Sequence, residues 1–331
     1  MQTKPTRATT TPVPFADDPR ISAGTREFLK VLNGSGGDPL ETLGPKRARK
    51  VLEDAQAGVD VDVSGIDEST ITINTDAGAI ELTIVRPAGN SDKLPVFMFI
   101  HGGGWVLGDY PTHKRLVRDL VVESGFAAAF INYTRTPEAV YPQQTNETYA
   151  ATKWVAENAD EINVDATRLA VVGNSVGGNL TAATALKAIA EGGPAIKSLV
   201  MMWPVTDADF ERESWAEFGA DRFLTAPLMK WMWDLYAPAE KRGEALASPF
   251  RATAEQLKQF PPTLVQVAEN DILRDEGEAF GRKLDEAGVE VATIRYDGAI
   301  HDFGLLNALA NEPGTKAMIR HAAAELKTRL G

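Results

Sequence analysis

The stretch Leu169-Ala170-Val171-Val172-Gly173-Asn174-Ser175-Val176-Gly177 decides the fold of this chain, because an apolar run passes directly into a Gly-x-Ser-x-Gly motif. The apolar run predicts a buried strand, and the alanine- and leucine-rich segment from Gly178 to Ala190 predicts a helix. The serine then lies on a sharp turn between strand and helix, where the flanking glycines avoid side-chain clashes. The motif therefore predicts a serine at the end of a strand.

A second glycine-rich motif, His101-Gly102-Gly103-Gly104-Trp105, stands earlier in the chain and also follows an apolar run, Leu94 to Ile100. Consecutive glycines of this kind can turn backbone N–H groups toward an oxyanion. Either motif alone is a weak signal. The two motifs in this order, each behind a predicted strand, indicate a serine hydrolase.

Predicted strands and helices alternate from Ile71 onward, which indicates an α/β fold with a mostly parallel sheet. The segments Ile71–Asn74 and Ile80–Val85 form a predicted hairpin at an antiparallel edge of that sheet. In such sheets the reactive groups collect at the carboxyl ends of the strands. Residues with suitable chemistry directly follow four of the eight predicted strands: His101, Ser175, Asp271 and His301.

Two segments interrupt this alternation, the N-terminal part of the chain and the aromatic-rich stretch from Val205 to Pro249. Ordinary core helices would explain both. The second segment, however, follows a strand end at the catalytic edge, which favours a helical cap that supplies an apolar substrate wall. The predicted organisation is a lead-in with cap helices (1–57), a first core part (58–204), a cap insertion (205–249) and a second core part (250–331).

The general base is predicted to be His301. A serine hydroxyl attacks only when a base removes its proton, and histidine has a suitable pKa. His301 lies in a predicted loop after the last strand, from Asp297 to Phe303, on the C-terminal side of the serine. Among the other histidines, His101 precedes the glycines and suits a structural hydrogen bond. His113 suits packing or capping at a helix start, and His321 lies inside a predicted helix, remote from any strand end.

The carboxylate that orients the base is predicted to be Asp271, at the tip of a strand. Three other acidic residues are rivals. Glu269 is nearer the strand and can point elsewhere, and Asp275 suits the first turn of a helix, where the helix dipole favours a carboxylate. Asp302 adjoins His301 in sequence, which makes an orientation toward the imidazole ring awkward.

With these motifs in place, the chain resembles the hormone-sensitive-lipase-like (family IV) branch of the α/β-hydrolase superfamily from about Pro19 to the C terminus. Besides the two glycine motifs, the resemblance rests on Tyr133–Glu138, Asp271–Gly277 and His301–Phe303. It implies an α/β-hydrolase fold, with a mostly parallel eight-stranded sheet flanked by helices and covered by a helical cap.

The resemblance also implies carboxylester hydrolysis through an acyl-enzyme. Ser175 would attack the ester, His301 would shuttle the proton and Asp271 would orient the imidazole. Backbone N–H groups would hold the oxyanion at Gly103, Gly104 and Val176. The expected substrate-binding side chains are Trp105, Val205, Phe210 and Trp215. No cofactor and no metal is expected, the partner is a small ester, and a homodimer is plausible.

Two residues depart from the usual pattern of this branch, since Asn174 and Val176 replace an aspartate and an alanine. The valine keeps its N–H group but adds bulk beside the acyl site, so we expect a preference for short acyl chains. Cleavage of amides, carbamates or lactones by the same residues remains an alternative. A non-catalytic binding protein is a weaker alternative, because His301 is retained, and no motif supports metal-dependent hydrolysis.

The composition narrows the class of protein further. The 331 residues suffice for one large α/β domain with a subdomain, or for two small domains, and 44% hydrophobic residues provide a sizeable core. The net charge of −12 disfavours nucleic acid and anionic membranes as partners. The chain lacks cysteine, which excludes disulfides and thiol nucleophiles. Met1 to Pro14 lacks the apolar stretch of a secretory signal, so we expect a flexible lead-in and a cytoplasmic protein.

Overall fold

The computed structural model describes residues 13–331, so the expectation for Met1 to Pro14 lies almost wholly outside the described residues. Eight strands are found in this range: β1 (Ile66–Thr75), β2 (Gly78–Pro87), β3 (Leu94–Ile100), β4 (Ala127–Asn132), β5 (Val164–Asn174), β6 (Ser198–Met202), β7 (Thr263–Asn270) and β8 (Val291–Ile300). The α-helices of the same range are α1 (Ala23–Gly34), α2 (Leu40–Leu43), α3 (Pro45–Ala57), α4 (Tyr110–Ser124), α5 (Gln143–Glu157), α6 (Val176–Glu191), α7 (Glu213–Phe218), α8 (Ala226–Tyr236), α9 (Ala254–Leu257), α10 (Arg274–Glu286) and α11 (Pro313–Leu330).

All eight strands form one sheet in the order β1-β2-β4-β3-β5-β6-β7-β8. Strand β2 is antiparallel to both of its neighbours, whereas every pair from β4 to β8 is parallel. Consequently β2 alone runs against the other seven strands, and β1 at the edge runs with them. The predicted mostly parallel α/β sheet with an opening hairpin is confirmed.

Helices cover both faces of the sheet, because successive side chains of a strand point to opposite faces. On β3, Val96, Met98 and Ile100 belong to the same core as residues of α5, α6, α8 and α10. The intervening Phe97 and Phe99 belong to a second core with residues of α1, α4 and α11. Strands buried on both faces read as continuous apolar runs, as this sequence does.

Three of the parallel strands end at the predicted chemical groups. Ser175 directly follows β5, and Asp271 directly follows β7. Strand β8 continues to Ile300, so His301 is the first residue after the strand. The expectation of a loop from Asp297 was therefore wrong by four residues. Parallel strands bring these ends to one edge of the sheet.

A buried group of charged side chains joins the N-terminal segment to the predicted cap insertion. Asp18 has no exposed surface, and its carboxylate accepts hydrogen bonds from Arg20 and Arg222, each at 2.8 Å. Arg20 also pairs with Glu217 of α7. Both guanidinium groups lie over the ring of Phe218, at 5.2 and 5.3 Å from its centre, within the range of a cation–π contact. The N-terminal segment is thus fixed by ion pairs and cation–π contacts.

Within residues 13–331, no helix is both long enough and apolar enough to cross a membrane.

Candidate active site

Ser175 lies at the turn between β5 and α6 in a backbone conformation that L-residues rarely adopt, with φ 55° and ψ −121°. Small neighbours make this turn possible. A Cβ atom on Gly173 would overlap the carbonyl of Gly177, and one on Gly177 would overlap the carbonyl of Ile100. The N–H of Ser175 donates to the carbonyl of Met202 at 2.8 Å, which ties the turn to β6. The predicted strand–serine–helix turn is present.

The side chains of Ser175, His301 and Asp271 form a continuous chain of hydrogen bonds. The Ser175 hydroxyl donates to Nε2 of His301 at 3.0 Å. With its proton on Nδ1, the imidazole donates to Oδ2 of Asp271 at 2.7 Å. Oδ1 of Asp271 accepts from the N–H of Leu273 at 3.0 Å, which holds the carboxylate in place. All three side chains are almost fully buried, so these bonds form in a site nearly free of water.

The electrostatic surroundings of His301 favour its protonated form. Burial lowers its pKa, but the negative charges of Asp271 and Asp302 and the hydrogen bond to Asp271 raise it. The net effect is a pKa above the usual value of 6.5. The imidazole therefore accepts a proton more readily than a free histidine does.

The glycine loop, Gly102–Gly104, lies beside the serine. Gly103 and Gly104 have φ values of 103° and 62°, which a side chain would strain, and the Gly103 carbonyl accepts from the N–H of Leu107 at 2.7 Å. A Cβ on Gly104 would overlap the sulfur of Met232 in α8. In residues 13–331, the backbone N–H groups of Gly103, Gly104 and Val176 have no acceptor. They are free to bind an anion.

The rival carboxylates have other partners, with one correction. Glu269 accepts from the N–H of Gly298 at 2.8 Å, and Asp275 lies in the first turn of α10, as expected. An orientation of Asp302 toward the imidazole was expected to be awkward, but its Oδ2 lies 3.9 Å from Nε2 of His301. Asp302 has φ 58°, and this left-handed backbone turns its carboxylate back toward the ring.

Two other histidines hold the glycine loop. His101 donates from Nδ1 to the carbonyl of Gly102 at 2.8 Å, and its ring stacks on Tyr133 at 4.1 Å. His113 accepts at Nε2 from the N–H of Gly102 at 3.3 Å, a contact that the sequence analysis missed. Burial, as the largest cause, lowers the pKa of both, to about 4 for His113. The remaining histidine, His321 on α11, contacts the hydroxyl of Tyr296 on β8.

The predicted substrate-binding side chains occupy different surroundings. The N–H of Val205 donates to the Ser175 carbonyl at 3.1 Å, and its side chain is buried. The ring of Trp105 is buried against Tyr236 of α8, with centroids 3.8 Å apart. The rings of Phe210 and Trp215 pack on each other at 4.8 Å. Contact of these side chains with substrate stays a prediction.

Comparison with known proteins agrees with the observed fold. A family model described as the α/β hydrolase fold matches residues 97–305. The chain belongs to the α/β-hydrolase family. Within it, the motifs belong to the branch that resembles hormone-sensitive lipase, as the sequence analysis expected.

Several named relatives of this chain are esterases. A solved structure of a thermostable esterase from Pseudomonas putida is 55% identical with a TM-score of 0.94, over 95% of this chain and 99% of that one. An esterase of Gibberella moniliformis is 32% identical, over 87% of this chain and 92% of its own. An ethyl acetate hydrolase of Pseudomonas putida is 30% identical, over 83% and 87%. The family member described here is a carboxylic ester hydrolase.

Proposed function

We propose that the protein hydrolyses short-chain acyl esters through an acyl-enzyme on Ser175, with His301 as the base and Asp271 as the carboxylate that orients it. The observation that carries this proposal is the continuous hydrogen-bond chain from Asp271 through His301 to the Ser175 hydroxyl. Oγ attacks the ester carbonyl while its proton passes to Nε2, and the imidazolium then protonates the leaving alcohol. Water, activated by the same imidazole, releases the acid.

The oxyanion is proposed to bind the backbone N–H groups of Gly103, Gly104 and Val176. Support comes from the absence of any acceptor for these groups within residues 13–331. Val176 is also the first residue of α6, so the positive end of that helix dipole lies beside the nucleophile. Donors that are fixed before the reaction stabilise the developing charge without reorganising.

Residues 205–249, together with the helices of 1–57, are proposed to form a cap over the core. The support is a set of contacts from α8: Met232 lies on Gly104, and Tyr236 stacks on Trp105. With these contacts Ser175 is only 3% exposed. A closed site of this kind accepts a small acyl group and excludes a long one unless the cap opens.

The first experiment tests the proposed nucleophile and base. Ser175→Ala and His301→Ala should each lower kcat on a nitrophenyl ester by on the order of 10³-fold or more, since these groups act as a unit. His321→Gln, which changes a histidine of α11 outside this chain of bonds, is the matched histidine control and should keep its activity. Activity that survives in Ser175→Ala protein of unchanged circular dichroism would overturn the proposal.

The second experiment tests the substrate class. A series of nitrophenyl esters of increasing acyl length should give the highest kcat/KM for acetyl and butyryl esters. Amide, carbamate and lactone substrates in the same series separate the alternatives that use the same residues. Stoichiometric labelling by an organophosphate, lost in Ser175→Ala, distinguishes an enzyme from a binding protein. A higher kcat/KM on long-chain emulsions would contradict the small closed site.

A further inference from the structure

The side chain of Asn174, the residue before Ser175, joins two loops of the active site. Its Oδ1 accepts from the N–H of Gly102, in the glycine loop, at 3.0 Å. Its Nδ2 donates to Oδ1 of Asp302, directly after His301, at 3.3 Å. Asn174 has no exposed surface, so water does not compete for either bond. One amide therefore bridges the loop that carries the proposed oxyanion donors and the loop that carries the base.

The carboxylate of Asp302 brings a second negative charge to the imidazole. Oδ1 of Asp302 also accepts a hydrogen bond from the indole N–H of Trp203 at 2.7 Å. Oδ2 lies 3.9 Å from Nε2 of His301, the ring atom that faces Ser175. The other charged groups that act on His301 are Asp271, on the Nδ1 side, and Glu276. Asp302 is thus the acidic group nearest the reacting side of the ring.

The chemistry of the bridge requires an amide at position 174. An amide has both a donor and an acceptor, so it can accept from Gly102 and donate to Asp302 at once. A carboxylate at this position would keep the first bond. It would, however, face the Asp302 carboxylate across 3.3 Å without a proton between them, in a buried site where repulsion is weakly screened.

We propose that Asn174 is a positioning residue for ester hydrolysis, whose neutral amide is matched to the charge of Asp302. The inference rests on the proposed function of Ser175 and His301. The amide keeps the glycine loop and the His301 loop in register, so that oxyanion donors and imidazole act on the same ester carbonyl. Positions 174 and 302 depend on each other, because a carboxylate at 302 requires an uncharged hydrogen-bond donor at 174.

An exchange of the two groups tests this dependence. Asn174→Asp should lower kcat/KM by about tenfold or more, because two buried carboxylates then face each other. In the double variant Asn174→Asp/Asp302→Asn, the bond from Gly102 is kept and one of the two facing negative charges is removed, so part of the lost activity should return. Recovery is incomplete because one amide atom at position 302 cannot both accept from Trp203 and donate to position 174. The matched control Asn174→Ala/Asp302→Asn lacks the acceptor at position 174, so Gly102 keeps only its longer bond to His113. This control should be no more active than Asn174→Ala alone.

The pH profile of Asp302→Asn supplies a readout that a purely structural role would not change. Loss of the charge beside Nε2 should move the acid limb of kcat/KM to lower pH. If Asn174→Asp does not fold, folding of the double variant counts as the same rescue. A double variant no better than Asn174→Asp, or an unchanged profile in Asp302→Asn, overturns the inference. Wild-type activity that is lost in Ser175→Ala shows that the proposed function stands independently of these outcomes.

Discussion

His301 lies between two carboxylates, and this position determines the expected pH dependence of the reaction. Burial lowers its pKa, but Asp271 and Asp302 outweigh burial and leave the pKa above 6.5. The base must be neutral to accept the serine proton, so a raised pKa moves the active form to higher pH. We expect kcat/KM on a neutral ester to rise with pH through a midpoint above 6.5, rather than near it.

The measurement is a kcat/KM profile from about pH 5 to about pH 9, in wild type and in His113→Gln. His113 has its pKa lowered to about 4 by burial, so it stays neutral over this range. Its substitution can reduce the rate by loosening the glycine loop, but the midpoint should not move. A midpoint below 6.5 in wild type would contradict the electrostatic argument.

At the level of single residues, local motifs sufficed to predict that Ser175, Asp271 and His301 lie together, because each follows a strand in a recognisable pattern. Their catalytic roles stay a prediction. The position of Asp302 could not be found this way. Its approach to the imidazole depends on a positive φ and on bonds to Trp203 and Asn174, which are remote in sequence. A sequence shows neighbours along the chain but not which side of a turn a carboxylate occupies.

Among the elements, α10 contains a buried acid whose ionisation opposes folding. Glu276 has no exposed surface, and burial raises its pKa to about 8, although the N–H groups of Thr206 and Asp207 donate to it. The unfolded chain loses this proton near 4.5, below the folded one. Between these values the folded state binds more protons, so the free energy of unfolding falls as pH rises toward about 8.

Glu276→Gln should remove this pH-dependent loss of stability. The amide stays neutral, and its oxygen can still accept the hydrogen bonds from the two backbone N–H groups. Thermal unfolding at about pH 5 and about pH 9 is the measurement, and the gain in Tm over wild type should be larger at the higher pH. Glu286 of the same helix is exposed and provides the control. The change in Tm caused by Glu286→Gln should be the same at both pH values. If both substitutions changed Tm equally, the buried charge of Glu276 would not be the cause of the pH-dependent stability.

The elements themselves were predicted well, because long apolar runs and helical spacing are local properties. What the sequence could not provide is the contact between elements. Helix α8 was expected to lie over the strand ends as an aromatic wall, but nothing in its spacing shows that Met232 contacts Gly104 or that Tyr236 stacks on Trp105. Such long-range contacts depend on how the chain returns to the sheet. The exact extent of the cap therefore stays a prediction.

For the whole molecule, the buried ion cluster around Asp18 fixes the N-terminal segment to the rest of the fold. Burial disfavours the charge of Asp18, but bonds from Arg20 and Arg222 hold its pKa at about 2. Asp18→Asn leaves the buried guanidinium of Arg222 without a counter-charge and Arg20 with Glu217 alone, which should lower the free energy of unfolding by about 2–3 kcal/mol. The neighbouring exposed Asp17→Asn should change it by less than about 0.5 kcal/mol.

Chemical denaturation of both variants at about neutral pH measures this difference. Because the depressed pKa contributes stability above the usual value of 3.8, the gap between wild type and Asp18→Asn should shrink as pH falls toward 2. A gap that is constant across this range would mean that the charge is not responsible. Loss of the cluster should also weaken activity, since Arg20 pairs with Glu217 in the proposed cap.

The backbone conformation of Ser175 lowers the stability of this enzyme at the position where the proposed reaction needs a serine. At φ 55° and ψ −121° any residue with a side chain is strained, whereas glycine is not. Ser175→Gly should therefore unfold at a higher temperature than Ser175→Ala, with a free energy of unfolding larger by about 1 kcal/mol. Both variants should be inactive if Ser175 is the nucleophile, as proposed. A library of variants selected only for survival on heating would accumulate glycine at position 175. The selected proteins would be heat-stable but would lack esterase activity. Directed evolution of this scaffold needs turnover in every round of selection.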